Sequence, residues 1–161
     1  AALALPPVHV PAWVNFADLR RAQGRDREAE TLLRDGLRAA PDSAPLHHAL
    51  GLALVRLERH EEALPELARA AALAPQEPRF AYVHAVALHE RGRGPEALVV
   101  LERALARAPD DRELLLAAAL YSRDAGDRDA ALEYAARLQA AAPDAPAGAE
   151  LLEALRAGPG P

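Results

Sequence analysis

The 161-residue chain has no cysteine, so disulfides, zinc-thiolate centres, cysteine-attached haem and thiol catalysis are excluded within it. Lysine is missing as well, and every cationic side chain apart from histidine is arginine. Beside so much Ala, Arg and Pro this reads as nucleotide-composition bias and carries no functional meaning. Aromatic residues make up only 4%. No apolar run approaches the roughly 20 residues that span a bilayer, so membrane insertion is not expected. The opening AALALPPVHV has neither a basic leader region nor an initiating Met, and so does not read as a signal peptide. The expectation is that the chain begins inside a longer one, with the compartment left open between cytoplasm and periplasm.

Half of the residues are apolar and 27% charged, the balance of a folded domain, and Ala and Leu prevail over β-branched residues, which favours helix. The net charge of -5, from 24 carboxylates against 19 arginines, argues against nucleic acid as the ligand.

Self-similarity is the strongest signal. Pro7, Pro41, Pro75, Pro109 and Pro143 recur every 34 residues, and Ala29, Ala63, Ala97 and Ala131 keep the same spacing. Each unit holds two helical patterns separated by a turn. Gly24, Gly92 and Gly126 stand at that turn, where a helix C-cap needs a left-handed residue; Glu58 takes the place in the second unit, which implies a differently built turn there. Asp26, Asp42 and Asp110 precede apolar stretches and are expected to accept from free helix N-terminal amides. Small residues (Ala17, Gly51, Ala85, Ala119) recur where paired helices must approach, and Trp13, Phe16, Leu50, Leu54, Leu33, Leu67 and Leu101 are the expected core.

These residues resemble the tetratricopeptide repeat, whose pattern runs W-x2-L-G-x2-Y, then A-x3-F, then P. The second unit fits with His47, Leu50, Gly51, Leu54, Ala63, Leu67, Ala70 and Pro75 at signature positions; Arg20, Ala81, His84, Ser122 and Ala135 depart from it. The resemblance implies an all-α fold, a right-handed α-solenoid of antiparallel helix pairs with a C-terminal capping helix. Repeats are expected at 10–43, 44–77, 78–111 and 112–145, after the end of a preceding repeat at 1–9 and before a capping helix at 146–157 and a tail at 158–161. Leu3, Leu5 and Val8, left without neighbours, are expected to favour self-association.

In such arrays the first helices line the concave side, and the residues five, nine and twelve places into each repeat share one helical face away from the core. They are Val14, Asp18 and Arg21; His48, Leu52 and Val55; Tyr82, Val86 and His89; Leu116, Leu120 and Arg123, with Asn15 a polar neighbour. An apolar stripe with polar flanks is the usual form of a groove that holds a peptide or helix, although packing between successive first helices could consume the same residues. Tyr82 with His48 and His89 is the constellation of most interest, since an aromatic beside imidazoles can pack and hydrogen-bond at once; a half-buried aromatic among solvated histidines is the plainer reading. The carboxylate clamp of Lys, Arg and Asn that some family members carry at these positions is missing, which leaves Asn15, Arg21 and Arg123 as polar anchors.

Neither a P-loop nor G-x-S-x-G occurs, Ser43 and Ser122 are the only serines, and His84 and His89 stand five apart rather than on one metal-binding face. Catalysis, a metal and a cofactor are therefore not expected. The function expected is a scaffold for a protein or peptide partner of unknown identity. The alternative is a spacer that docks other domains of its own polypeptide: VPAWVNFADLRRAQGRDREAE, LHHALGLALVR and PRFAYVHAVALHERGR are similar to the repeat region of bacterial multihaem cytochrome c-type proteins.

Overall fold

The structure is a computed structural model that describes residues 9–157. Pro7, Leu3, Leu5, Val8 and the tail at 158–161, with what was expected of them, lie outside the described residues. Among the described residues there are nine helices and no strand: α1 (Val10–Ala22), α2 (Asp26–Ala39), α3 (Ala44–Arg56), α4 (His60–Leu73), α5 (Pro78–Glu90), α6 (Gly94–Leu105), α7 (Arg112–Asp124), α8 (Arg128–Ala141) and α9 (Pro146–Ala157). The chain divides into two compact units, Ala1–Pro75 and Gln76–Pro161.

In the first unit α1 pairs with α2 and α3 with α4, and α2 also packs on α3. Fully buried Ala17, Ala29, Leu33, Leu46, Leu50, Ala53, Leu54 and Ala63 form its core, with Trp13 and Leu37 against it. Burying a leucine contributes about 2 kcal/mol, so this contact dominates the unit. In the second unit α5 pairs with α6 and α7 with α8, α6 packs on α7, and α9 closes on α8. Gly148 permits that last approach: a Cβ there would lie 2.7 Å from the backbone of Gln139.

Phe16 departs from its expected place in the core. It is 43% exposed, and Leu19 is 51% exposed, whereas Leu50 and Ala53, their counterparts on α3, are 1% and 0% exposed. The difference has a plain cause: α2 covers that side of α3, and among the described residues no helix covers the same side of α1.

Helix ends are set by local chemistry. Asp26, Asp42 and Asp110 cap no helix: α3, α7 and α8 are capped by Ser43, Asp111 and Asp127, which accept from the amides of Leu46 (3.4 Å), Leu114 (3.0 Å) and Ala130 (3.0 Å), and α1, α2, α4, α5 and α6 start without a side-chain cap. A cap accepts from the second or third amide of the helix, which selects the residue immediately before it; Asp42 and Asp110 lie one residue too early. Asp26 is the first residue of α2 and binds the Arg56 guanidinium at 2.6 Å. That bond, set against a smaller cost of burial, holds the Asp26 carboxyl below its ordinary range.

The turn at Glu58 also corrects the sequence expectation. Glu58 has φ 60°, in the same left-handed region as Gly24 (72°), Gly92 (72°) and Gly126 (80°). Its amide donates to the Val55 carbonyl and the next amide, Arg59, to the Leu54 carbonyl, both at 2.9 Å, as happens at the three glycines. The geometry of the pair dictates the turn, and a residue with a Cβ is forced into it at a cost of about 1 kcal/mol. Glu58→Gly is therefore expected to raise stability to urea by about 1 kcal/mol, and Gly126→Ala, where only backbone conformation is at stake, to lower it by a similar amount.

Candidate functional site

The candidate face is built on first helices, and the two units carry separate stretches of it. In the first unit Val14, Asn15, Asp18 and Arg21 lie on α1, and His48, Leu52 and Val55 on α3. Val14 and Val55 lean on the core, Leu52 is half-buried, and Asn15 and Asp18 are exposed. Arg21 donates to the Asp18 carboxylate at 2.9 Å. His48 is 8% exposed, so most of its ring is withdrawn from solvent.

In the second unit Tyr82, Val86 and His89 lie on α5, and Leu116, Leu120 and Arg123 on α7. All are half-buried except Arg123, which is exposed. His89 stacks on Tyr121 of α7, with ring centroids 3.8 Å apart and planes 5° from parallel. Its Nε2 lies 3.4 Å from an oxygen of Asp124, whose other oxygen accepts from Arg123 at 2.9 Å. The structure thus brings His89 and Arg123 to one carboxylate. His48, the other imidazole of the expected constellation, belongs to the first unit. Burial, with smaller effects of Tyr82, Glu90 and Asp124, pushes the Tyr121 hydroxyl up to about 12.

Sequence reasoning missed Tyr121 and Asp124. The signal for Tyr121 was present, since the positions equivalent to it are Leu19, Ala53 and Ala87, and only here does a phenol stand. His47, placed by the sequence at a signature position of the repeat, has polar partners that the motif does not announce. His47 is a tie among elements: Nδ1 lies 2.6 Å from Glu66 on α4 and Nε2 2.8 Å from the Pro41 carbonyl.

Between α2 and the turn that joins α3 to α4 is a surface hollow of about 450 Å³ lined by Arg27, Glu30, Thr31, Arg34, Leu57 and Arg59. Arg59 spans Glu30 and Glu62 at 2.7 Å each, and Arg34 holds Glu30 at 2.9 Å, so its charges are largely spent in joining α2 to α4. Among the described residues no group of three His, Cys, Asp or Glu side chains converges as a metal site would require.

Models of the tetratricopeptide repeat match residues 10–53, 48–112 and 82–146. The chain belongs to the tetratricopeptide repeat family. This TPR chain is also similar to solved structures. YrrB, described as a TPR protein with an unusual peptide-binding site, is 23% identical over 88% of this chain and 73% of its own, with a TM-score of 0.72. MamA from Desulfovibrio magneticus RS-1 is 19% identical over 91% of this chain and 83% of its own, with a TM-score of 0.75. Pseudomonas aeruginosa pilF is 22% identical over 90% of this chain and 66% of its own, with a TM-score of 0.76. No curated protein matches the chain. At these identities the structural likeness establishes the fold alone. The TPR repeats and TPR neighbours support a protein-interaction scaffold. Among the described residues no helix is long and apolar enough to cross a membrane.

Beside the TPR face, His84 occupies a signature position on α5 that is ordinarily leucine. Burial, aided by the charge of Arg93, holds its imidazole below the ordinary value, opposed by a smaller effect of Glu96. The folded state favours neutral His84, so on acidification the unfolded chain takes up the proton first. The contribution is intact above about pH 6.5 and is lost as pH falls through that value toward the folded-state pKa. His84→Leu is expected to reduce the fall in Tm between pH 8 and pH 5.5 relative to the parent chain, and an unchanged fall would place the loss elsewhere.

Proposed function

We propose that this chain is a scaffold whose first helices hold a peptide or helix of a partner along their inner faces. The repeats serving it are 10–43, 44–77, 78–111 and 112–145, with 146–157 as the cap. The observation that carries the reading is the unequal use of leucine: Leu46, Leu50, Leu54, Leu114 and Leu115 are fully buried, while Leu52, Leu116 and Leu120 on the same helices keep part of their surface in water. Apolar surface left over once a core is complete, with Asp18, Asn15 and Arg123 at its margins, suits an amphipathic or extended segment. The peptide-binding site ascribed to YrrB supports a ligand of the same class. Val14, Val55, Tyr82 and Val86 add contact area, and Arg21, His48 and His89 supply polar contacts.

Leu52→Glu and Leu120→Glu, introduced together, are expected to weaken partner binding at least tenfold, about 1.4 kcal/mol, with helical circular dichroism unchanged. Glu102→Lys on the exposed side of α6 is expected to leave binding as it was. A partner lost only through Glu102→Lys, or kept by the groove variant, would favour the spacer reading, in which other surfaces dock domains of the same polypeptide.

A further inference from the structure

The apolar stripe of the second unit ends in a cluster whose chemistry differs from the rest of the face. His89 and Tyr121 are stacked at 3.8 Å, and Asp124 lies beside them with its carboxylate shared between Arg123 at 2.9 Å and the His89 ring at 3.4 Å. Tyr82 and Glu90 on α5 are near enough to Tyr121 to act, after burial, on its hydroxyl, and Asp124 acts in the same sense. The Tyr121 phenol, its stacked His89 and the Asp124 carboxylate therefore gather beside the cation Arg123, and Tyr82 and Glu90 stand on the helix that carries His89.

The wider field has the same sign. The second unit carries fourteen carboxylates against ten arginines, while the first carries ten against nine, so nearly all of the acidic surplus lies in the unit that holds this cluster. Tyrosine faces and carboxylates together make a favourable surround for an ammonium or guanidinium, the rings through their negative faces and the carboxylates through charge-assisted hydrogen bonds. A chain-wide acidic field steers such a partner before contact. A carboxylate ligand held by Arg123 would instead approach Asp124 and Glu90 against their charge.

We propose that this end of the inner face binds a lysine or arginine side chain of a basic peptide, received beside Tyr82 and Tyr121 by the carboxylates of Asp124 and Glu90. The inference rests on the groove reading above and adds the charge of the ligand to it. Arg123 is then an internal competitor, occupying in the free protein the carboxylate that the incoming cation shares when bound. The adjoining Leu116 and Leu120 contact the apolar residues of the same segment.

The test uses the whole chain and two fluorescein-labelled nonapeptides, one alternating leucine with lysine and the other leucine with glutamate, read by fluorescence anisotropy at low and moderate salt. The lysine peptide is expected to bind at least tenfold tighter, with the advantage shrinking as salt rises. Asp124→Asn with Glu90→Gln is expected to remove that advantage, and Arg123→Gln to tighten the lysine peptide several-fold. Glu102→Gln with Glu133→Gln, which removes the same charge from second helices, is expected to leave most of it. Equal binding of both peptides, tighter binding of the glutamate peptide, or an equal loss in the outer pair overturns the basic-ligand proposal and leaves the groove standing. Binding of neither peptide overturns both.

Discussion

At each helix pair a small residue of the first helix lies where the second helix passes, and the space is filled by the partner rather than by its own side chain. A Cβ on Gly51 would come within 2.5 Å of the Leu67 side chain, and Leu67 is itself fully buried. Ala17, Ala85 and Ala119 hold the same place in the 34-residue register and, like Ala29, Ala97 and Ala131 on the second helices, are without solvent exposure. This close approach fixes which side of every first helix is core. The consequence is geometric: the other sides of the first helices meet their neighbours within each unit, α1 against α3 and α5 against α7, and part of the surface of Leu52, Leu116 and Leu120 remains in water. The proposed binding face is that remainder.

Charge is distributed to suit. The exchanges between α2 and α4 through Arg34, Arg59, Glu30 and Glu62 are spent on holding second helices together. Arg34, Arg59 and Glu62 are partly exposed and Glu30 is mostly covered, so these pairs orient the helices while apolar contact supplies most of the stability. Asp26 with Arg56 and Asp42 with Arg69 act alike across neighbouring elements. On the proposed face the ionic contacts include Asp18 with Arg21 within α1 and, in the other unit, Asp124 with the adjacent Arg123 and with His89 across from α5.

The period, the two helices per unit and the small-residue contacts could be read from the sequence because each is a local rule repeated in register, and repetition separates it from chance. Helix starts were harder. Asp42 and Asp110 stand beside the true caps Ser43 and Asp111, and which of two adjacent acceptors reaches the amides depends on where the chain bends, a property of the preceding proline turn. Glu58 was misread for a related reason: residue preference describes what a turn favours, whereas the packed pair decides what it tolerates. Phe16 was assigned to the core by its position in the motif, but burial depends on the helix that covers it. His47 and Tyr121 escaped because their partners, Glu66 and Pro41 for one and His89 for the other, come from different elements, and no spacing rule within one helix announces them.

On this account the inner face stands apart energetically from the core. The separation can be measured by making one substitution in two places of the same unit and comparing urea denaturation. Leu101 is fully buried and Leu120 is not. Leu101→Ala is predicted to cost about 3 kcal/mol and Leu120→Ala about 1 kcal/mol or less. Equal losses at the two sites would mean that Leu120 belongs to the core, and would contradict the account of the face as spare surface.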